Sequence, residues 1–263
     1  DDLLAEVRTN NSGEYDVNVW SDESEPDLYI EFATINGAIE IQDGTWNSTY
    51  TWATSVREDY TGSTLNFGTL SSSDELIRPA MHMHMLTNVT RAWRWFKNTM
   101  GVSPGRQDLE WPSGDWPHYD PDWGDIHIPQ YVNGSEDFTR RWNTGTHVHE
   151  YGHALMNEVW DYLPSFDYDN GICNNPNGDP GHCGFCQEDG GTALSEGWGN
   201  YLAGEVIDQY ESKYGVAEDG AYDRPQESLG NCLDNQDPAM TCACDPYRTE
   251  NFFSRLLHDL TDN

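Results

Sequence analysis

The chain has 263 residues, of which 36% are apolar and 13% aromatic. This is enough for one sizeable hydrophobic core, and a disordered chain would lack so many large side chains. The 46 acidic and 13 basic residues give a net charge of −33. Because such a surface repels nucleic acid and anionic lipid, we expect neither nucleic acid nor a membrane as a partner.

The six cysteines form two groups in loop-like, Gly/Pro/Asn-rich surroundings. They are Cys173, Cys183, Cys186, Cys232, Cys242 and Cys244. Cys183-x-x-Cys186 alone is compatible with zinc or redox chemistry, but no second C-x-x-C accompanies it, so we predict three disulfides. Four N-x-S/T sequons begin at Asn10, Asn47, Asn88 and Asn133. Together with the cysteines they predict a secreted, extracellular glycoprotein.

The first residues, Asp1-Asp-Leu-Leu4, lack the basic and apolar regions of a signal peptide. We therefore expect any signal or pro-segment to have been removed from a soluble mature chain. From about Glu14 to Leu70, short β-rich runs alternate with turn residues, and Asn36-Gly37 indicates a hairpin turn. This pattern predicts an N-terminal antiparallel sheet.

Helical periodicity begins after residue 73. Apolar residues three or four apart predict an amphipathic helix over about 75–100, ended by Gly101. His82 and His84 flank its apolar stripe, so we expect them to lie at the surface or in local hydrogen bonds. A strand is predicted at Asp125–Pro129, where Pro129 requires a sheet edge or a strand end.

Three more helices are predicted downstream, over about 138–159, about 192–211 and Asn251–Leu260. A Cys-, Gly- and Pro-rich loop, 161–190, separates the first two. The fold class is therefore α+β, with residues 1–263 forming one domain. Its β-rich part spans 1–73 and its mainly helical part 74–263.

The chemistry is concentrated in the segment Thr146-His-Val-His-Glu-Tyr-Gly-His153. On a helix, His149 and His153 lie one turn apart on the same face, where two imidazoles can bind one metal ion. Glu150 lies beside that face and can reach a water molecule. A catalytic site needs a third protein ligand, and Glu196 is the best placed, with Asn200 one turn further to orient a ligand. Glu188 is the alternative third ligand.

His149-Glu-Tyr-Gly-His153, followed by Ser195-Glu-Gly-Trp-Gly-Asn200, resembles the gluzincin zinc metallopeptidases, which include thermolysin- and fungalysin-like enzymes. The resemblance covers roughly residues 74–210. It implies a zincin-like fold, Zn²⁺ held by His149, His153 and Glu196, and Glu150 as the general base. We accordingly expect a secreted monomeric endopeptidase that acts on protein or peptide substrates, which add as a strand along Asp125–Pro129.

The chain departs from this family at three places. Asn200 stands where the family usually has Asp, which alters the charge beside the ligands. The loop 161–190 is longer, and its acidic and amide side chains, Asp167, Asp169, Asn175, Asn177 and Asp179, leave Ca²⁺ binding open. We also expect no room after residue 260 for the large C-terminal lobe of thermolysin-like enzymes.

The residue that stabilises the oxyanion is the least determined part of the predicted site. We assign this role to His258, the only histidine after Glu196, although an exposed helix histidine is an equal alternative. Five tyrosines are possible substitutes: Tyr201, Tyr210, Tyr214, Tyr222 and Tyr247.

Two further hypotheses remain for the function. Trp111, Trp116 and Trp123 can stack on sugar rings, which would suit a zinc-dependent glycan hydrolase, although packing of these tryptophans against the core is the preferred interpretation. An inactive binding protein with the same fold is the other alternative.

Overall fold

In a computed structural model, the chain is described for residues 3–7, 9–10, 14–70, 77–132, 135–136, 143–161, 163–164, 190–214, 253–254, 256–257 and 260. These residues form both α-helices and β-sheets, which confirms the predicted α+β class. By internal contacts the chain divides into two compact units. The first comprises residues 1–33 and 51–71, and the second comprises 34–50 and 72–263.

The first unit contains one short ribbon. Strand β1 (Glu31–Ala33) pairs antiparallel with β4 (Thr51–Ala53), and the rings of Phe32 and Trp52 stack with centroids 5.2 Å apart. Residues 15–20 and 64–67, which were predicted as strands, are irregular. Their apolar side chains have no second sheet in this ribbon to pack on, so alternation alone did not produce strands.

The second unit is built on a mixed sheet of five strands. These are β2 (Ile39–Asp43), β3 (Ser48–Thr49), β5 (Gln107–Glu110), β6 (His118–Asp120) and β7 (Asp125–His127), in the order β3-β2-β5-β7-β6. Strand β2 pairs parallel with β5, and β5 pairs parallel with β7. The remaining strands, β8 (Tyr131–Val132) and β9 (Ser135–Glu136), form a separate antiparallel pair.

The single N-terminal antiparallel sheet was therefore a wrong prediction. The turn at Asn36-Gly37 does form, because the Asn36 side chain accepts a hydrogen bond from Ala38 N at 2.8 Å and Ile35 bridges Glu40. However, β2 then joins strands from after the first helix. Ile39 and Ile41 are fully buried, and burial of both requires the wider sheet that β5 and β7 complete.

Strand β7 is also not an edge strand, as it lies between β5 and β6. Of the two positions that Pro129 allowed, the strand end is the correct one, since β7 stops at His127. Among the described residues, the edge on this side of the sheet is β6.

Three long helices are described: α1 (Ile77–Met100), α2 (Thr144–Trp160) and α3 (Gly190–Tyr214). Helix α1 matches its prediction and stops before Gly101, whose φ of 69° is accessible to glycine at little cost. Helix α2 begins six residues later than predicted, because Asn143 caps it and accepts from Thr146 N at 2.9 Å. No helix in the described ranges is long and apolar enough to cross a membrane.

The core lies between one face of the sheet and these helices. Ile41, Leu109 and Ile126 are cross-strand neighbours on three adjacent strands, and all three are fully buried. Met81, Met85, Val89 and Phe96 of α1 belong to the same cluster, as do Val148 and Leu155 of α2. The predicted amphipathic face of α1 is thus the face that is buried.

His82 is a correction to the surface position predicted for it. It is buried, and its ring stacks on Tyr50 with centroids 3.7 Å apart and meets Trp111 edge-on at 5.0 Å. His84 does have the local hydrogen bonding that was predicted. Its Nε2 accepts from Asn88 Nδ2 at 3.1 Å.

Asn88 joins α1 to α2 inside the protein. Its Nδ2 lies 3.2 Å from Nδ1 of His147 as well as 3.1 Å from Nε2 of His84, so each of its two N–H bonds meets one imidazole. Asn88 is fully buried in α1. The Asn88 sequon therefore cannot carry a glycan in this fold, whereas Asn10 and Asn47 are exposed.

The opposite face of the sheet carries a row of carboxylates. In the strand register Glu40, Asp108, Asp125 and Asp120 are successive neighbours across β2, β5, β7 and β6. Burial, with a further contribution from the charges of Glu110, Asp108 and Asp120, raises the pKa of Asp125 to about 6. Arg106 compensates part of this charge through its ion pair with Glu40 at 2.9 Å.

Replacing Asn88 with Ala should destabilise the protein by about 1–3 kcal/mol, because two imidazole nitrogens lose a buried donor. Urea unfolding measures the change. Asn98→Ala, at an exposed position on the same helix, should stay within about 0.5 kcal/mol of the wild type. Equal effects at both positions would contradict a structural role for Asn88.

Asp125→Asn should stabilise the protein near neutral pH and not near pH 4. Since the folded-state pKa of Asp125 is raised, its contribution to stability is full below its unfolded value of about 3.9 and is lost as pH rises through about 6. Urea unfolding at about pH 4 and about pH 7.5 measures the difference. Asp122→Asn, at an exposed position in the same hairpin, is the control. A gain for Asp125→Asn that is independent of pH would argue against charge crowding.

Candidate metal centre

Helix α2 places His149 and His153 one turn apart, as their spacing predicted. Both side chains are buried, and their rings meet edge-on with centroids 4.7 Å apart. The Nε2 atoms of the two imidazoles are 3.0 Å apart. Two nitrogen atoms with bare lone pairs repel at this distance, so the arrangement calls for a proton or a metal ion between them.

Helix α3 brings a carboxylate to the same point. One oxygen of Glu196, Oε2, lies 2.9 Å from Nε2 of His149, and the other, Oε1, lies 3.6 Å from Nε2 of His153. Glu196 is only 3% exposed. The predicted third ligand therefore joins the two histidines, although it comes from a different helix.

The distances fit a small divalent ion. A four-coordinate ion with bonds of about 2.0–2.1 Å holds its donor atoms about 3.3 Å apart. The three donor separations here, 2.9, 3.0 and 3.6 Å, lie on both sides of that value. The nitrogen and carboxylate donors are those that borderline metals accept, so this buried group can hold a metal ion.

Asn200 orients the first histidine. Its Oδ1 lies 3.1 Å from Nδ1 of His149, and an amide oxygen only accepts, so Nδ1 carries the proton. In the neutral ring, Nε2 is then the bare nitrogen, and it faces Glu196 and His153. An Asp side chain at this position would give the same tautomer with an added negative charge, whereas Asn200 gives it without one.

Charge balance holds the carboxylate ionised. Burial raises the pKa of Glu196, but the charge of His153 and the hydrogen bonds from His149 and His153 outweigh burial, so that its pKa falls well below its usual range. A buried carboxylate is stable only beside positive charge. A divalent cation held by these residues would supply positive charge beside the carboxylate.

Glu150 adjoins the donor set. It is buried, and one of its carboxylate oxygens lies within 4.8 Å of a ring nitrogen of His149 and of His153. His149, Glu150 and His153 therefore form a buried group whose donor atoms all lie within 4.8 Å of one another. Glu196 completes the cluster from across the helix crossing.

Several predicted residues lie outside the described ranges. They are His258, Glu188, Tyr222, Tyr247, the sequon residue Asn133, the six cysteines with their three predicted disulfides, and the calcium candidates Asp167, Asp169, Asn175, Asn177 and Asp179. Phe253, Ser254, Leu256, Leu257 and Leu260 are helical where the last helix was predicted.

Two of the substitute tyrosines are used in packing. Tyr201 is buried against Trp95 and Trp198, and the Tyr210 ring lies 3.9 Å from the guanidinium carbon of Arg91. His147 is fully buried and bonded to Asn88, so it takes part in the packing of α1 against α2.

Trp198 has a role at this site that was not predicted from the sequence. Its indole Nε1 donates to the carbonyl oxygen of Gly152 at 2.8 Å, which ties α3 to α2 between the two histidines. Its position two residues after Glu196 was visible in the motif. A buried indole needs an acceptor, but the identity of that acceptor depends on the helix crossing.

No protein-family model matches the chain, and no significantly similar curated protein is found.

The wild-type protein should bind one divalent ion per chain, and His153→Ala should abolish this binding. At a free metal concentration of about 100 Kd, the ion should stabilise the wild type by about 2.7 kcal/mol and should not stabilise the variant. Metal analysis after dialysis and thermal melting with added Zn²⁺ check both effects. His118→Ala removes an exposed histidine from β6 and is the control. Unchanged metal content in His153→Ala would place the metal elsewhere.

Proposed function

We propose that the chain is a secreted zinc metallopeptidase with a zincin-like fold, similar to the gluzincins. The observation that carries this proposal is the convergence of His149, His153 and Glu196 in a buried site, with Glu150 beside them. Three protein donors leave a four-coordinate zinc ion one position for water or substrate, which is typical of catalytic and not of structural zinc.

Zinc, when bound, supplies a Lewis acid that polarises a carbonyl group and makes a water molecule more acidic. Glu150 is the base in this proposal, and its carboxylate takes the proton from the attacking water. The protonated carboxyl of Glu150 then donates to the departing amine. Asn200 keeps His149 in the tautomer with a bare Nε2, and Glu196 lowers the charge of the metal centre.

The substrate-binding strand is reassigned from β7 to β6. Both edges of β7 are paired, so a peptide cannot add to it. Strand β6 lies beside α2, where Asn157 Nδ2 of α2 donates a hydrogen bond to the Tyr119 hydroxyl of β6 at 2.9 Å. A peptide that extends the sheet at β6 would be held by backbone hydrogen bonds, which supports endopeptidase activity.

Exposed aromatic side chains support a second candidate, a zinc-dependent glycan hydrolase. Trp123 is 80% exposed and Trp116 is 48% exposed, contrary to the preferred prediction that they pack on the core, whereas Trp111 is buried as predicted. Exposed indoles can stack on sugar rings. Turnover of a glycan panel without turnover of denatured casein would favour this candidate.

Glu150→Gln should reduce casein hydrolysis by about 10²–10⁴-fold, because an amide cannot accept the proton. Metal content should remain that of the wild type, since the three proposed ligands are intact. The measurements are a chelator-sensitive casein assay and metal analysis on the same preparations.

Glu158→Gln is the matched control for this variant. Glu158 is an exposed carboxylate on the same helix, where it contacts Gln107 and the backbone of Gly105. Its variant should hydrolyse casein at close to the wild-type rate. Casein hydrolysis at the wild-type rate by Glu150→Gln would refute the proposed mechanism.

A further inference from the structure

Helices α2 and α3 cross at two glycines. A Cβ atom placed on Gly152 would lie 3.1 Å from Cα of Gly199, so the two backbones are separated by little more than an atomic contact. The bond from Trp198 Nε1 to Gly152 O acts at the same point. The close approach allows the short side chains Glu196 and Asn200 to reach His149 from the neighbouring helix.

Gly199 lies directly against a proposed ligand. A Cβ atom at residue 199 would be 2.7 Å from Nδ1 of His149, 2.8 Å from Cε1 and 3.0 Å from Cγ. The first two separations are under 3.0 Å, which Cβ atoms in proteins essentially never show, and the third is at that limit. The added Cβ atom would clash with three atoms of the imidazole ring at once, so the ring as a whole would have to move.

The ring has little freedom to move away. Its Nδ1 is bonded to Asn200 Oδ1 at 3.1 Å, and its Nε2 lies 2.9 Å from Glu196 Oε2. Glu196, Gly199 and Asn200 are spaced i, i+3 and i+4, so all three face α2 from one side of α3. The imidazole therefore rests on the bare backbone of Gly199 between two side chains that hold its two nitrogens.

We propose that Gly199 is a positioning residue of the metal centre, whose missing side chain sets the place of the His149 ring. The inference rests on the metal binding within the proposed function and does not depend on peptide hydrolysis. Glycine inside a helix is unfavourable compared with alanine. At residue 199 this cost is offset by a contact that alanine would prevent.

Gly204 provides a matched control on the same helix. A Cβ atom there would meet nothing within 4 Å, so Gly204→Ala should keep metal affinity within about twofold of the wild type and melt at the same or a higher temperature. Gly199→Ala should lose about 10–100-fold in Zn²⁺ affinity, the range found when the support of a ligand is removed. Isothermal titration with Zn²⁺ measures both.

Two readouts separate positioning from a general loss of packing. With Co²⁺ at saturating concentration, Gly199→Ala should show altered visible absorption bands, because the donor geometry changes, while Gly204→Ala should keep the wild-type spectrum. A wild-type spectrum and a wild-type Zn²⁺ affinity in Gly199→Ala would overturn the proposal.

A double-mutant cycle tests the contact without any metal. In a His149→Ala background the added methyl group has room, so Gly199→Ala should cost no stability there, whereas it should be destabilising in the wild type. If Gly199→Ala alone does not fold, His149→Ala should restore folding. Equal destabilisation in both backgrounds would refute the contact.

A wild type that binds neither Zn²⁺ nor Co²⁺ would instead refute the proposed function. The metal-free mutant cycle would still decide whether Gly199 positions the His149 ring.

Discussion

The crossing of α2 and α3 buries the Glu196 carboxylate 2.9 Å from the His149 imidazole, and the rest of the site depends on this pair. A buried carboxylate is stable only if positive charge and hydrogen-bond donors lie within a few ångströms. His149 and His153 meet that requirement, and a divalent cation would meet it better. The two imidazole nitrogens, which are 3.0 Å apart, also require a proton or a metal ion between them.

The surrounding fold keeps these polar groups fixed inside an apolar frame. Trp198 ties α3 to the Gly152 carbonyl of α2, and its ring meets Phe96 of α1 edge-on at 6.4 Å. Asn88 of α1 is hydrogen-bonded to His147 of α2 and so joins these two helices. Helices α2 and α3 are thus joined at residues next to or two positions from a proposed ligand, and α1 contacts both helices at such residues. These contacts give the rigid support that a metal site requires.

Some of the acidic side chains of the chain are arranged in a row on the sheet. One face of the sheet is apolar and is buried under the helices. The opposite face carries a row of carboxylates across four strands, formed by Glu40, Asp108, Asp125 and Asp120. Burial and the charges of neighbouring carboxylates together raise the pKa of Asp125 to about 6. Part of the net charge of −33 thus costs stability locally near neutral pH.

The sequence by itself determined the helices and the ligand spacing. Helical periodicity located α1, and the i, i+4 relation put His149 and His153 on one face, because both follow from local backbone geometry. Glu196 and Asn200 could be proposed for the same reason. The strand partners could not be predicted in this way. Ile39–Asp43 pairs with β5, more than sixty residues later, and Asp125–His127 is an interior strand, because the order of strands in a sheet depends on which distant apolar surfaces must be buried. Likewise, only the tertiary structure decided that Asn88 and His82 are buried and that Gly199 touches His149, since each depends on the approach of two helices or of a helix and a sheet.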